Sequence, residues 1–364
     1  MARAKQRRGN HAKHAAKQAL KHSFPAAHSH FVPAKPDEAF KREIDGYASE
    51  LAEMRREVGK LIVGQGNVID GIIRGFLADG HVLIEGVPGI AKTLLIRAIA
   101  EASGCAFSRI QFTVDLLPSD IAGVTTYDEK TGNFMTVKGP IFANFVIADE
   151  INRAPPKSQS ALLEAMQEKQ VTIGKQTLKL PLPFFVMANN NPLENSGTYP
   201  LPEAQIDRFL FKLNMVYTSV EDEQKVVDQN ATIKKFEDYN IKPVVSPEKI
   251  LKMQAATRKI FASEAIKKYI VSLVDATRNP KKYGINLASK YIEWGCSPRA
   301  SIGMTIGAKA DAMVSGQTYV TPQNVRNVAH DVFRHRMILN YVGQAEKVNP
   351  DNITDEIIKK VPLP

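Results

Sequence analysis

The stretch that decides the fold runs His81-Val82-Leu83-Ile84-Glu85-Gly86-Val87-Pro88-Gly89-Ile90-Ala91-Lys92-Thr93. A short apolar run, Val82 to Ile84, breaks into Gly86-Val87-Pro88-Gly89. Lys92-Thr93 then open an amphipathic helix with Leu94, Leu95, Ala98 and Ile99 on its buried side. Strand, glycine-rich loop and helix N-terminus follow in the order a phosphate-binding loop requires. Main-chain N–H groups between Gly86 and Ala91 can turn toward an anion, reinforced by the positive end of the helix. Lys92 is placed to reach β- and γ-phosphates, and the Thr93 hydroxyl to hold Mg²⁺. One position departs from the G-x-x-x-x-G-K-[ST] pattern: Ala91 stands where a second glycine belongs. Alanine fits if the backbone there has already turned right-handed helical. The competing reading is a Gly/Pro turn followed by a solvated lysine.

Working outward, the chain has 364 residues and 44% apolar content, enough for a sizeable core and two or three domains. No run of 18 apolar residues exists, so no transmembrane helix is expected. Cys105 and Cys296 carry no metal-ligand spacing and read as buried thiols in a reducing, cytoplasmic setting. The net charge of +10 is uneven. Residues 1–35 hold eight Lys/Arg, five of the eight histidines and no acid, whereas the remainder carries 40 basic against 38 acidic side chains. This basic arm reads as a disordered tail, or as a salt-sensitive contact with nucleic acid or another anionic surface.

After the arm, Asp37 to Lys60 and Asn67 to Leu77 have helical apolar spacing and lead into the decisive strand. Phe107 to Thr113 reads as a strand, Asp115 to Gly123 as an irregular insert, and Thr125 to Val137 as a hairpin around Lys130-Thr131-Gly132-Asn133. Asn144 to Ala148 is a buried strand that ends in Asp149-Glu150, two acids at a sheet's carboxyl edge beside a nucleotide phosphate. Asp149 suits Mg²⁺ together with Thr93, and Glu150 suits the polarisation of a water molecule; a strand with a solvated end is the plainer alternative. A helix from Lys157 to Gln167, a second hairpin over Val171 to Leu178 and a buried strand from Phe184 to Ala188 follow. That strand runs into Asn189-Asn190-Asn191-Pro192, either an amide for orienting water or an Asx-rich turn. Asp207-Arg208 then precede an apolar strand, Phe209 to Leu213.

Beyond a boundary between Val216 and Ser246 the chain is helical. Ser246-Pro247, Ser297-Pro298 and Thr321-Pro322 are each an N-cap followed by a first-turn proline, and Gly284 to Gly295 is the longest connection. Arg299 sits in a first helical turn, where acids are favoured, so it reads as facing an external anion or as a surface arginine.

In this order the segments resemble the MoxR family of AAA+ ATPases, in the clade with a helix-2 insert and a pre-sensor-1 hairpin. The match runs from Ile62-Val63-Gly64-Gln65 through Gly86 to Thr93, Gln111-Phe112-Thr113 and Asp115 to Ile121. It continues with Ala148-Asp149-Glu150-Ile151-Asn152-Arg153, Gly197 to Phe209, Ser297-Pro298-Arg299 and Arg334-His335-Arg336. It covers roughly residues 38–345. The family also carries alanine at the position of Ala91. Asn189-Asn190 replace its more typical Thr-Gln, and the arm has no counterpart.

The resemblance implies an α/β P-loop core with a parallel sheet (37–218), a connecting helix and linker (219–245), a helical lid (246–345) and a C-terminal tail (346–364), after the arm (1–36). Ile62 and Val63 would contact adenine, and Gly86, Val87, Pro88, Gly89, Ile90, Ala91, Lys92 and Thr93 would hold ATP. Asn191 would be sensor 1, Arg299 the lid's sensor 2, and Arg208 an arginine finger acting on the next subunit of a ring, typically a hexamer. The implied activity is Mg²⁺-dependent ATP hydrolysis that remodels, matures or activates a protein client, often with a von Willebrand factor A-domain partner. A metal-chelatase motor subunit and a nucleic-acid-stimulated translocase are the alternatives. A nucleotide switch without hydrolysis fits less well, because Glu150, Asn191, Arg208 and Arg299 are all present.

Overall fold

Five short apolar runs form one parallel sheet, and helices cover both of its faces. The computed structural model describes residues 37–87, 89–130, 132–190, 198–229 and 235–364; the arm (1–36), Pro88 and Asn191 lie outside the described residues. The strands are β1 (Val82–Gly86), β2 (Phe107–Gln111), β3 (Gly123–Asp128), β4 (Asn133–Lys138), β5 (Phe145–Asp149), β6 (Gln170–Ile173), β7 (Gln176–Lys179), β8 (Phe185–Asn190), β9 (Phe211–Met215), β10 (Ile292–Trp294) and β11 (Ile338–Leu339). The main sheet has the order β2-β5-β8-β1-β9, with all its pairs parallel.

Side chains alternate across this sheet as a pleated strand requires. Val82, Ile84, Phe145, Ile147, Phe185, Met187, Phe211 and Leu213 enter one core; Leu83, Val146, Ala148, Val186 and Ala188 enter the other. Helices α1 (Glu38–Gly59), α2 (Gly66–Leu77) and α3 (Lys92–Ala102) cover the first face. The second is covered by α4 (Pro118–Ala122) and α5 (Pro156–Glu168). The stretch expected to be irregular thus contains a helix: Pro118 stands at its first position, and the Asp120 carboxylate accepts the Leu117 N–H at 2.8 Å. Both expected hairpins are present, as β3–β4 and β6–β7.

After the short α6 (Glu203–Ile206), the strand expected from Phe209 starts two residues later, at Phe211. Phe209 and Leu210 are buried, but the Arg336 guanidinium takes both of their carbonyls, so the apolar run enters the core before it joins the ladder. Next comes α7 (Val220–Gln229), capped by Ser219. The helices α8 (Pro247–Lys259), α9 (Glu264–Arg278), α10 (Asn286–Tyr291), α11 (Pro298–Val314), α12 (Pro322–Phe333), α13 (Tyr341–Ala345) and α14 (Pro350–Lys360) complete the chain. Ser246, Ser297 and Thr321 each accept a first-turn N–H. The connection from Gly284 to Gly295 is not a loop: it holds α10 and β10. Among the described residues no helix is long and apolar enough to cross a membrane.

Candidate active site

The parallel sheet sorts the candidate residues by its two edges. At the carboxyl edge of β1, Gly86 pairs with Met215 of β9, and a Cβ on Gly86 would lie 2.8 Å from the Met215 carbonyl, so only glycine fits. The loop then carries Gly89 at φ +83° and Ala91 at φ +62°, ψ +29°. Ala91 therefore lies in the left-handed region, not the right-handed one expected from its place beside the helix. The turn needs a positive φ there, which glycine adopts freely and alanine holds at a cost of about 1 kcal/mol. Lys92 opens α3, and its Nζ donates to the Gly86 carbonyl at 2.7 Å, so the ammonium is folded over the loop with Thr93 next to it. Val87 and Ile90 complete this loop among the described residues.

The two acids follow β5. Asp149 is buried at the strand end and Glu150 takes a left-handed conformation, φ +56°. Asp149 Oδ2 accepts from Arg109 of β2, through Nε at 2.9 Å and through Nη2. Glu150 Oε2 accepts from Gln111 Nε2 at 2.8 Å and pairs with Arg153 Nε at 3.1 Å. Asn189 of β8 ties the two acids together: its Nδ2 donates to Asp149 Oδ1, and its Oδ1 accepts the Glu150 N–H at 2.7 Å. Sequence reasoning set Asn189 aside as a departure from family usage, yet it holds both acids. No contiguous signal marked it, because its register beside Ile84 of β1 and its reach to β5 exist only in the assembled sheet.

A divalent cation would find hard oxygen donors here, the Asp149 carboxylate and the Thr93 hydroxyl, which suit Mg²⁺. The cationic Arg109 already rests on Asp149, so that carboxylate sits where positive charge is favoured. No group of three or more His, Cys, Asp or Glu that could hold a metal occurs among the described residues. Such an ion would need phosphate oxygens and water as its other ligands.

Beside the loop lies a cleft of about 480 Å³. Ile62 and Val63 line it with Gly89, Ile90 and Ala91, so the two residues expected at adenine adjoin the loop. Tyr217, Phe236 and Tyr239 line it as well.

Arg208 and Arg299 lie elsewhere. β9 runs parallel to β1 with Phe211 opposite Val82 and Met215 opposite Gly86. Arg208 thus precedes the amino edge of the sheet, while Lys92 follows the carboxyl edge. The strand alone separates them by about 13 Å, at roughly 3.3 Å per residue. Arg299 is at the same amino edge: its Nη1 is 3.7 Å from Asp207 Oδ2. Ser297 Oγ donates to that carboxylate at 2.9 Å and Arg336 Nε at 2.8 Å, so Asp207 is engaged from the helical part of the chain. Arg208 and Arg299 line one cleft with Asp79, Lys169 and Arg336. Both arginines thus lie at the edge of the sheet opposite to Lys92 of their own chain.

Known proteins resemble this chain along most of its length. A model of the ATPase family associated with various cellular activities (AAA) matches residues 81–211, and a model of the AAA lid domain matches residues 285–357. The chain is 44% identical over 323 residues to Chaperone MoxR1 of Mycobacterium tuberculosis, covering 88% of this chain and 85% of that one. It is 41% identical over 314 residues to YeaC of Bacillus subtilis, covering 86% and 95%. Protein MoxR of Methylorubrum extorquens is 29% identical over 332 residues, with 86% and 95% covered. The crystal structure of a candidate ATPase from Cytophaga hutchinsonii superposes with a TM-score of 0.83 at 44% identity, over 90% of this chain and 98% of that one.

Proposed function

Because the chain belongs to the MoxR family of AAA+ ATPases, we propose that it hydrolyses ATP in a homo-oligomeric ring, in the hexameric form usual for such proteins, and uses the resulting motion to remodel, mature or activate a protein client. A partner with a von Willebrand factor A-domain belongs to the same reading. What supports the ring is the separation of Arg208 and Arg299 from Lys92 by the length of the sheet. A finger at the amino edge serves only a phosphate brought by another copy.

In this reading the amides of the Gly86–Ala91 loop and Lys92 hold the β- and γ-phosphates, and Ile62 and Val63 flank the base. Thr93 and Asp149 hold Mg²⁺, which when bound screens the phosphate charge. Glu150 takes the proton of a water molecule whose oxygen bonds to the γ-phosphorus as the bond to the β–γ bridging oxygen breaks, giving ADP and phosphate. Gln111 and Arg153 aim that carboxylate, and Asn189 fixes its backbone. Asn191 orients the water. Arg208 and Arg299 meet charge developing on the γ-phosphate held by the neighbouring subunit.

Glu150→Gln keeps the shape and removes the base. It is expected to bind ATP with near wild-type affinity and to lower steady-state turnover roughly 10²- to 10⁴-fold. Wild-type turnover in this variant would take Glu150 out of the mechanism.

A further inference from the structure

Among the described residues, the helical part from Ser246 onward contributes nothing to the lining of the cleft beside the phosphate loop. Every residue lining the cleft beside the phosphate loop precedes Asn240, and Arg299 sits at the opposite edge of the sheet. The short 3-10 turn Phe236–Tyr239 lines this cleft together with Ile62 and Val63, through Phe236 and Tyr239. Phe236 and Tyr239 both pack against the main core as well as lining the cleft. Arg97 fastens the turn to the phosphate-loop helix: its guanidinium carbon lies 3.9 Å from the centre of the Phe236 ring, and its Nη2 donates to Glu237 Oε1 at 2.8 Å. Arg97 is on α3, the helix that Lys92 opens.

We propose that Phe236 and Tyr239 form the base-binding wall of the nucleotide site, and that Arg97 is the positioning residue that holds this wall against the phosphate-loop helix. The inference rests on the reading of Gly86 to Thr93 as the phosphate site. Once the phosphates occupy the loop, the next parts of a nucleotide are its sugar and its base. A flat heterocycle is best received between apolar and aromatic surfaces, which Ile62, Val63, Phe236 and Tyr239 supply among the residues lining this cleft. Arg97 covers the Phe236 ring, so the ring has a fixed plane to offer. The wall contributes nothing to a ligand that lacks a base.

The test compares ATP with inorganic tripolyphosphate, both with Mg²⁺, by calorimetric titration of the full chain. Phe236→Ala is expected to weaken ATP tenfold or more, on the order of one stacked base, with tripolyphosphate unchanged. Tyr239→Ala and Arg97→Ala are expected to act in the same direction, and Arg97→Lys to recover part of the loss. Phe236→Leu keeps apolar bulk without a ring plane, so it should melt with the wild type in the absence of ligand and still lose ATP preference. Equal losses for both ligands, or none for either, in the two Phe236 variants would overturn the wall. Binding of both ligands that is indifferent to Lys92→Ala would instead overturn the phosphate-loop reading beneath it.

Discussion

His81 stands one residue before β1 and is buried. Its Nε2 meets the Met166 carbonyl at 2.9 Å, and its Nδ1 accepts the Val186 N–H at 3.0 Å, so a neutral ring with its proton on Nε2 joins β1, β8 and the end of α5. Burial pulls its pKa down to about 4, and burial lowers His335 well below the usual value in the same way. Between the ordinary imidazole value and about pH 4 the unfolded chain carries a proton that the native ring does not. Stability is therefore complete above the unfolded pKa and falls as pH drops through that window. His81 alone accounts for about 2 kcal/mol of loss between pH 7.5 and pH 5. Denaturant melts at these two pH values should show the loss, and His81→Gln, whatever its stability at pH 7.5, should show a smaller one. Equal losses in both proteins would contradict a neutral, buried His81. Strain is stored at single residues too: Ala91 and Glu150 are left-handed at the carboxyl edge, Asp79 and Lys169 beside Arg208 at the amino edge.

Among the elements, α10 shows what local reading misses. Nothing in Gly284 to Gly295 announces a helix, because the cap is supplied from elsewhere: the Glu356 carboxylate accepts the Asn286 and Leu287 N–H groups at 3.0 and 2.8 Å. Glu356 lies on α14, in the stretch read as a tail; Ile353 and Ile357 of that helix are fully buried. Glu356→Ala leaves two helix-start donors without their acceptor and is expected to lower stability by about 1–2 kcal/mol, read as a fall in melting temperature. An unchanged melting temperature would show that solvent replaces the cap. The strand, loop and helix from Val82 to Ala102, the Asp149-Glu150 strand end and both hairpins were legible, because each is specified by contiguous residues: the loop by the glycines and proline between an apolar run and an amphipathic helix, Asp149 by the apolar run that buries it. Asn189 and Phe236 were not, because each acts through strands and turns brought together only by the sheet. Phe211 as the true start of β9 was hidden for a similar reason, since Arg336, far along the chain, claims the carbonyls of the two residues before it.

At the level of the molecule, the two edges of one sheet divide the chemistry. Loop, acids and base cleft share the carboxyl edge; Arg208 and Arg299 share the amino edge, fixed through Asp207 to α11 and Arg336. The helical part thus grips Asp207, the residue next to the proposed finger Arg208. In the proposed ring a single copy would hold half of two sites, and closure of the ring would complete each of them. An arginine supplied in trans is worth about 10³- to 10⁵-fold in rate in other phosphoryl-transfer enzymes. Arg208→Ala should bind ATP and fail to turn it over, and Lys92→Ala should fail to bind it while keeping its finger. The most direct measurement is the ATPase rate of an equal mixture of these two variants after subunit exchange, with mixed oligomers verified by mass. The expected result is recovered activity, since roughly a quarter of random interfaces pair an intact pocket with an intact finger. A mixture that forms mixed oligomers yet stays as inactive as either variant alone would contradict a site shared between subunits.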